Sequence, residues 1–225
     1  MGELTAWKAR RFAGRIPRIL QRHGTNAAVK TYAPSLGPKS AAYAAAYDAV
    51  AKYGPAYTRE FAEGRTALAG LIRGLRTWAP VVAGAVVGFN ESEYGDKPLV
   101  ADDTIGDAER LLEIVDEART PEGQPLAFAA DLKAELEPLL AAAVKECGEA
   151  EAADVHYQQL LKVQRESLAL FDEELQRFRR TLLGALGRTH KDYQKLRTAK
   201  AREPDEDDDP TEPVPPPAVA PPNPS

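Results

Sequence analysis

Three histidines, one cysteine and a scatter of carboxylates are the residues of this 225-residue chain best equipped for chemistry, and their spacing decides how far that chemistry goes. Di-iron bundles hold their metals with inward carboxylates and Glu-x-x-His pairs. His23, His156 and His190 instead follow Leu20, Ala153 and Gly187 at that spacing. Glu151, Asp154 and His156 are close in sequence, but positions two apart face different sides of a helix, so a solvated helix start is expected there. The segment from Asn90 to Ala101 can be laid on an EF-hand calcium loop with Gly95 at the turn. Tyr94 and Ala101 then occupy ligand positions that need oxygen donors, which defeats the match and leaves a polar loop carrying Glu91, Glu93 and Asp96.

Cys147 stands beside Glu146 and Glu149, whose charges raise a thiol pKa, so an inert buried thiol is expected. As the only cysteine it excludes an intramolecular disulfide and a multi-cysteine zinc site, and it suits a reducing, cytoplasmic setting. No Gly-x-Ser-x-Gly elbow, phosphate-binding Gly-Lys-Ser/Thr loop or dinucleotide-binding glycine turn is present. Catalytic, cofactor-binding and metal-ligating residues are accordingly assigned to none, no cofactor is expected, and the chain is read as non-enzymatic.

Two stretches carry surface chemistry instead. The first is basic: Lys8, Arg10, Arg11, Arg15, Arg18 and Arg22 surround the apolar residues Leu4, Trp7, Phe12, Ile16, Ile19 and Leu20, an arrangement suited to contact with an anionic surface. The second is the uncharged run from Trp78 to Phe89, where Trp78, Val81, Val82, Val86, Val87 and Phe89 could form a membrane-inserting tip. It is well short of the roughly 20 residues that cross a bilayer. Nucleic acid is disfavoured as a partner, because the remainder of the chain is acidic and the formal net charge is -5.

The elements that must position these residues are helical. From Tyr43 to Phe89 the larger side chains alternate four-residue and three-residue steps, through Tyr47, Val50, Gly54, Tyr57, Phe61, Gly64, Leu68, Leu71, Leu75, Trp78, Val82 and Ala85. That period describes a long helix with one buried face. Tyr43, Tyr47 and Tyr57 are read as core residues with hydroxyls at the rim. Ser40 is the expected N-cap, after an irregular stretch from His23 to Lys39, and the helix is expected to continue, kinked, through Gly54-Pro55. Pro17 predicts a kink or two short pieces in the basic segment.

Thr104 and Asp107 resemble a capping box for a helix that buries Ala108, Leu111, Leu112 and Val115. A further helix starts near Pro125, with Pro138 bending it and Gly148 either ending it or lying inside. A last long helix is expected from Asp154 to Arg197, its buried set shifting near Gly184 and Gly187. The fold class is all-α: an elongated up-down-up helical bundle with long coiled-coil-like helices, or alternatively a four-helix bundle.

The expected organisation is a partly helical basic arm over 1–39, a bundle domain over 40–198 and a disordered tail over 199–225. The tail holds half of the 18 prolines and an aspartate run. The function that follows is a scaffold or adaptor whose partner is another protein or a copy of itself, with a membrane-surface protein as the alternative.

Overall fold

A computed structural model of the chain describes residues 5–94 and 100–197. The described residues form six α-helices and one 3-10 turn, with no strand among them: α1 (Ala6–Arg22), α2 (Ala27–Lys30), α3 (Ala33–Ala85), the turn Glu91–Glu93, α4 (Ala101–Glu117), α5 (Ala129–Leu186) and α6 (Lys191–Arg197). The fold is an all-α helical bundle dominated by two long helices, α3 of 53 residues and α5 of 58. The acidic tail expected over 199–225, and Gly95 and Asp96 of the polar loop, lie outside the described residues.

Two compact units share these helices. Unit 1 draws on residues up to Gly54 and from Tyr157 onward, unit 2 on Pro55–His156, so α3 and α5 each contribute to both.

In unit 1 the apolar residues of α1 recur every three or four positions, and Ala9, Phe12, Ala13, Ile16 and Ile19 are all buried. They meet Val29, Leu36 and Tyr43 from the following elements, and Phe171, Leu175, Phe178 and Leu182 from α5. Residues of α1, of α2 and of the first turn of α3 therefore contribute to this core. Pro17 does not break α1, which runs for 17 residues. Burial of Phe12, Ile16 and Ile19, at about 1.5–3 kcal/mol each, exceeds the roughly 3 kcal/mol that a helical proline costs.

Helix α2 is a single turn whose first amides are satisfied by the Asn26 side chain, which accepts from the N–H groups of Ala28 and Val29. Helix α3 then begins seven residues before the expected cap. Ser40 is buried inside it, its hydroxyl donating to the Gly37 carbonyl at 2.8 Å. The reason is positional: Pro34 lies in the first turn, where a missing N–H has no helical partner to lose, and Pro38 removes one bond only. The helix also passes through Gly54-Pro55 without a break, as the unbroken seam predicts.

In unit 2, Leu68, Leu71, Leu75, Ala79 and Val82 of α3 pack with Ala108, Leu111 and Val115 of α4 and with Leu132, Leu136 and Ala143 of α5. Gly64 and Gly74 let α3 approach α5: a methyl at Gly74 would lie 2.7 Å from Leu136 Cδ2, and one at Gly64 would lie 3.3 Å from the Glu146 carbonyl. The seam fails at Phe61, which is 47% exposed and sets its ring against that of Tyr57 instead, tilted by 50° with centroids 5.6 Å apart.

Helix α4 starts at Ala101, not at a Thr104 capping box; Thr104 is buried and bonds back to the Val100 carbonyl at 2.9 Å. Asp102 and Asp103 supply the negative charge that the first turn favours. A tight turn follows, where Gly123 adopts φ +78° and its N–H reaches the Thr120 carbonyl.

Helix α5 starts at Ala129, carries Pro138 in its interior and continues through Gly148. It stops at Leu186 because Gly187 turns the backbone to φ +85°, so the helix expected to reach Arg197 is divided and α6 follows separately. That left-handed turn is open to glycine at little cost and caps the helix.

Candidate functional site

The Gly187 turn brings His190 and Asp192 against the end of α1. His23 is the residue that closes α1, and its C-cap N–H is spent on the Gln21 and Ile19 carbonyls. Asp192 lies in the first turn of α6. The three side chains meet in unit 1 although His23 and Asp192 are 169 positions apart in sequence.

Asp192 is the centre of the group, its side chain only 2% exposed. Oδ1 accepts from Arg22 Nη1 at 2.5 Å, and Oδ2 lies 2.7 Å from His23 Nε2. Burial by itself pushes the Asp192 carboxyl up, but the bonds from His23 and Arg22 outweigh it and hold the group below its ordinary value. An ionised carboxylate only accepts, so His23 Nε2 carries the proton in that contact. The backbone N–H of Asp192 donates to His190 Nδ1 at 3.2 Å, and the rings of His23 and His190 stand edge to face with centroids 5.2 Å apart. Each of His23, His190 and Asp192 offers one ligand atom, all within 4.8 Å of one another.

Two further contacts seat α6. Arg15 donates to the Lys195 carbonyl at 2.6 Å, and Leu196 is fully buried in the unit 1 core. Nearby in the same unit, the Arg179 guanidinium lies over the Phe12 ring, 4.6 Å from its centroid, and burial lowers its pKa.

The basic residues expected at an anionic surface divide between packing and solvent. Arg10 makes two bonds to Asp48, at 2.9 and 3.1 Å, Arg15 and Arg22 hold α6, and Arg11 stacks over Trp7. Lys8 and Arg18 are exposed.

The apolar segment is likewise divided. Val82 is in the unit 2 core, with Trp78, Val86 and Phe89 packed against it. Trp78 donates to Glu135 at 3.0 Å and Phe89 stacks on Tyr94, while Val81 and Val87 are exposed. No helix of the described residues is long and apolar enough to cross a membrane. The Cys147 thiol is half-buried and its pKa is pushed up, first by burial and then by Asp102 and Glu146.

The His23, His190 and Asp192 group carries no local sequence signature, because two of its members follow a turn that only the Gly187 backbone creates. The nearest signal was the clustering of Gly184 and Gly187 at the point where the buried pattern of α5 shifts. No protein-family model matches this chain, nor does any curated protein or solved structure.

Proposed function

We propose that the chain is a non-enzymatic helical-bundle interaction protein that associates with a second copy of itself through the outward side of α5 in unit 1. The observation that carries this reading is the exposure of Val163 and Leu170, 51% and 56%. They stand seven residues apart, two helical turns, and so share one side of the helix.

Their charged neighbours are basic before residue 166 and acidic from there to residue 173, beyond which Arg177 pairs with Glu173 at 2.6 Å. Lys162 and Arg165 flank the first half, Glu166 and Glu173 the second, and all four are exposed. Two copies of α5 laid antiparallel about a two-fold axis near residues 166–167 would set Val163 of one against Leu170 of the other and the basic half against the acidic half. A self-complementary patch is what a two-fold interface requires. A reducing, cytoplasmic setting accords with the single thiol.

Sedimentation equilibrium over a micromolar concentration range tests the reading. The expected result is a concentration-dependent dimer that Leu170→Glu converts to monomer with its helical circular dichroism unchanged. A chain that is monomeric throughout, or that moves as a monomer with anionic vesicles, overturns it; the second outcome would favour the membrane-surface alternative.

A further inference from the structure

We propose that His23, His190 and Asp192 form a binding site for a borderline divalent transition-metal cation, with Zn2+ the best fit. Two imidazoles and one carboxylate present ligand atoms all within 4.8 Å of one another. Around a tetrahedral zinc ion with bonds of about 2.0–2.1 Å, neighbouring ligand atoms stand about 3.3 Å apart. The 2.7 Å contact between His23 Nε2 and Asp192 Oδ2 would have to open by only about 0.6 Å to admit the ion.

The chemistry of the set selects the metal. Nitrogen donors with a single carboxylate suit zinc, nickel, cobalt or iron, whereas magnesium and calcium require shells of oxygen. Three protein ligands also leave a coordination position for water.

The surrounding bonds define what capture displaces. Arg22 occupies Oδ1 of Asp192 and leaves Oδ2 for the ion, so the carboxylate binds through one oxygen while the guanidinium steadies the other. At His23 the Nε2 proton gives way to the metal, and the neutral ring carries its proton on Nδ1 instead. At His190 capture costs the 3.2 Å bond from the Asp192 N–H: binding through Nδ1 replaces it, and binding through Nε2 places a proton on Nδ1. The positive charge of Arg22 opposes the cation, so moderate affinity is expected.

The site would join the end of α1 to the start of α6, two elements from opposite ends of the sequence. Capture of the ion does not require self-association through α5.

The test is titration of the full-length, chelator-treated chain with Co2+, followed by visible absorption, and with Zn2+, followed by calorimetry. One ion per chain is expected, with Zn2+ displacing Co2+. His190→Ala keeps both side-chain bonds to Asp192 and is expected to weaken binding at least tenfold, while His156→Ala, an exposed histidine in unit 2, leaves it unchanged. Imidazole NMR signals of His23 and His190 in the unsubstituted chain should shift together on adding Zn2+, a readout that does not depend on any variant folding. Absence of binding up to millimolar Zn2+, unmoved histidine signals, or unaltered affinity in His190→Ala would overturn the site.

Discussion

The ring of Tyr43 lies parallel to that of Phe171, with planes 7° apart and centroids 5.7 Å apart, so that one stacked pair joins α3 to α5 inside the unit 1 core. The same tyrosine donates its hydroxyl to the Ala6 carbonyl at 2.6 Å, which ties the start of α1 to this pair. Burial drives the Tyr43 hydroxyl pKa far above the ordinary tyrosine value, so it remains a donor across the whole working pH range. Tyr43→Phe should therefore lose about 1 kcal/mol of stability by removing one bond, and Tyr43→Ala about 3–5 kcal/mol by emptying the stack. Urea unfolding followed by circular dichroism would separate the two; equal losses would mean that the hydroxyl, not the ring, carries the contribution.

Glycines within the helices should respond to alanine in opposite directions. Gly106 faces open space in α4, so Gly106→Ala should gain about 1 kcal/mol from helix propensity alone. At Gly74 the new methyl would lie 2.7 Å from Leu136 Cδ2 and 3.0 Å from Leu139 Cδ1. Overpacking of about 1–3 kcal/mol should then outweigh the same propensity gain and leave Gly74→Ala less stable. Thermal melts of both variants check the contrast, and a stabilised Gly74→Ala would show that α3 and α5 have room to separate there.

Glu174 offers a test by pH. Its carboxylate accepts from Lys39 Nζ at 2.9 Å and from the Ser35 hydroxyl at 2.8 Å, and these two bonds hold its pKa below the ordinary glutamate value of 4.5. A depressed folded-state pKa means stability that is present above the unfolded value and is lost as the pH falls through the folded one. Glu174→Gln should therefore be less stable than the parent chain at neutral pH, with the difference shrinking progressively below about pH 4.5. A difference that stays constant from pH 7 to pH 3 would remove the carboxylate from the account.

Asp192→Asn should loosen α6 before it affects the rest of unit 1. The amide cannot accept charge-assisted bonds from both Arg22 and His23, and the loss should be about 1–3 kcal/mol. Hydrogen exchange by mass spectrometry should show faster exchange over 191–197, with 171–182 little changed. Uniform loss of protection across unit 1 would show that α6 unfolds only with the whole unit.

How much of this was legible depended on whether a feature was periodic or conformational. The leucines from Leu68 to Leu75 reveal a buried face because helical geometry repeats every three to four residues, and Gly54-Pro55 could be read as continuous because the seam kept its phase across it. Ser40 misled because a serine ahead of an apolar run looks like a cap, while Pro34 suits a first helical turn and Pro38 costs the helix one bond only. The cluster around Asp192 was hidden for a different reason. Its members are brought together by the positive φ of Gly187, and no spacing rule links a residue at the end of α1 to two residues at the start of α6.

That α3 and α5 each serve both units has a kinetic consequence. Unit 2 is one uninterrupted stretch of chain, whereas unit 1 is assembled from segments on either side of it. Bringing those segments together unaided means closing a loop of about 100 residues, an entropic cost on the order of 4 kcal/mol. Once α3 and α5 have paired within unit 2, that loop is already closed, and the remaining helical turns of both can extend from a formed template. Pulse-labelled hydrogen exchange during refolding should accordingly protect residues 68–82 and 132–143 ahead of 12–43 and 171–182. The middle of the sequence would then be the nucleus, and the two ends would be the last to find each other.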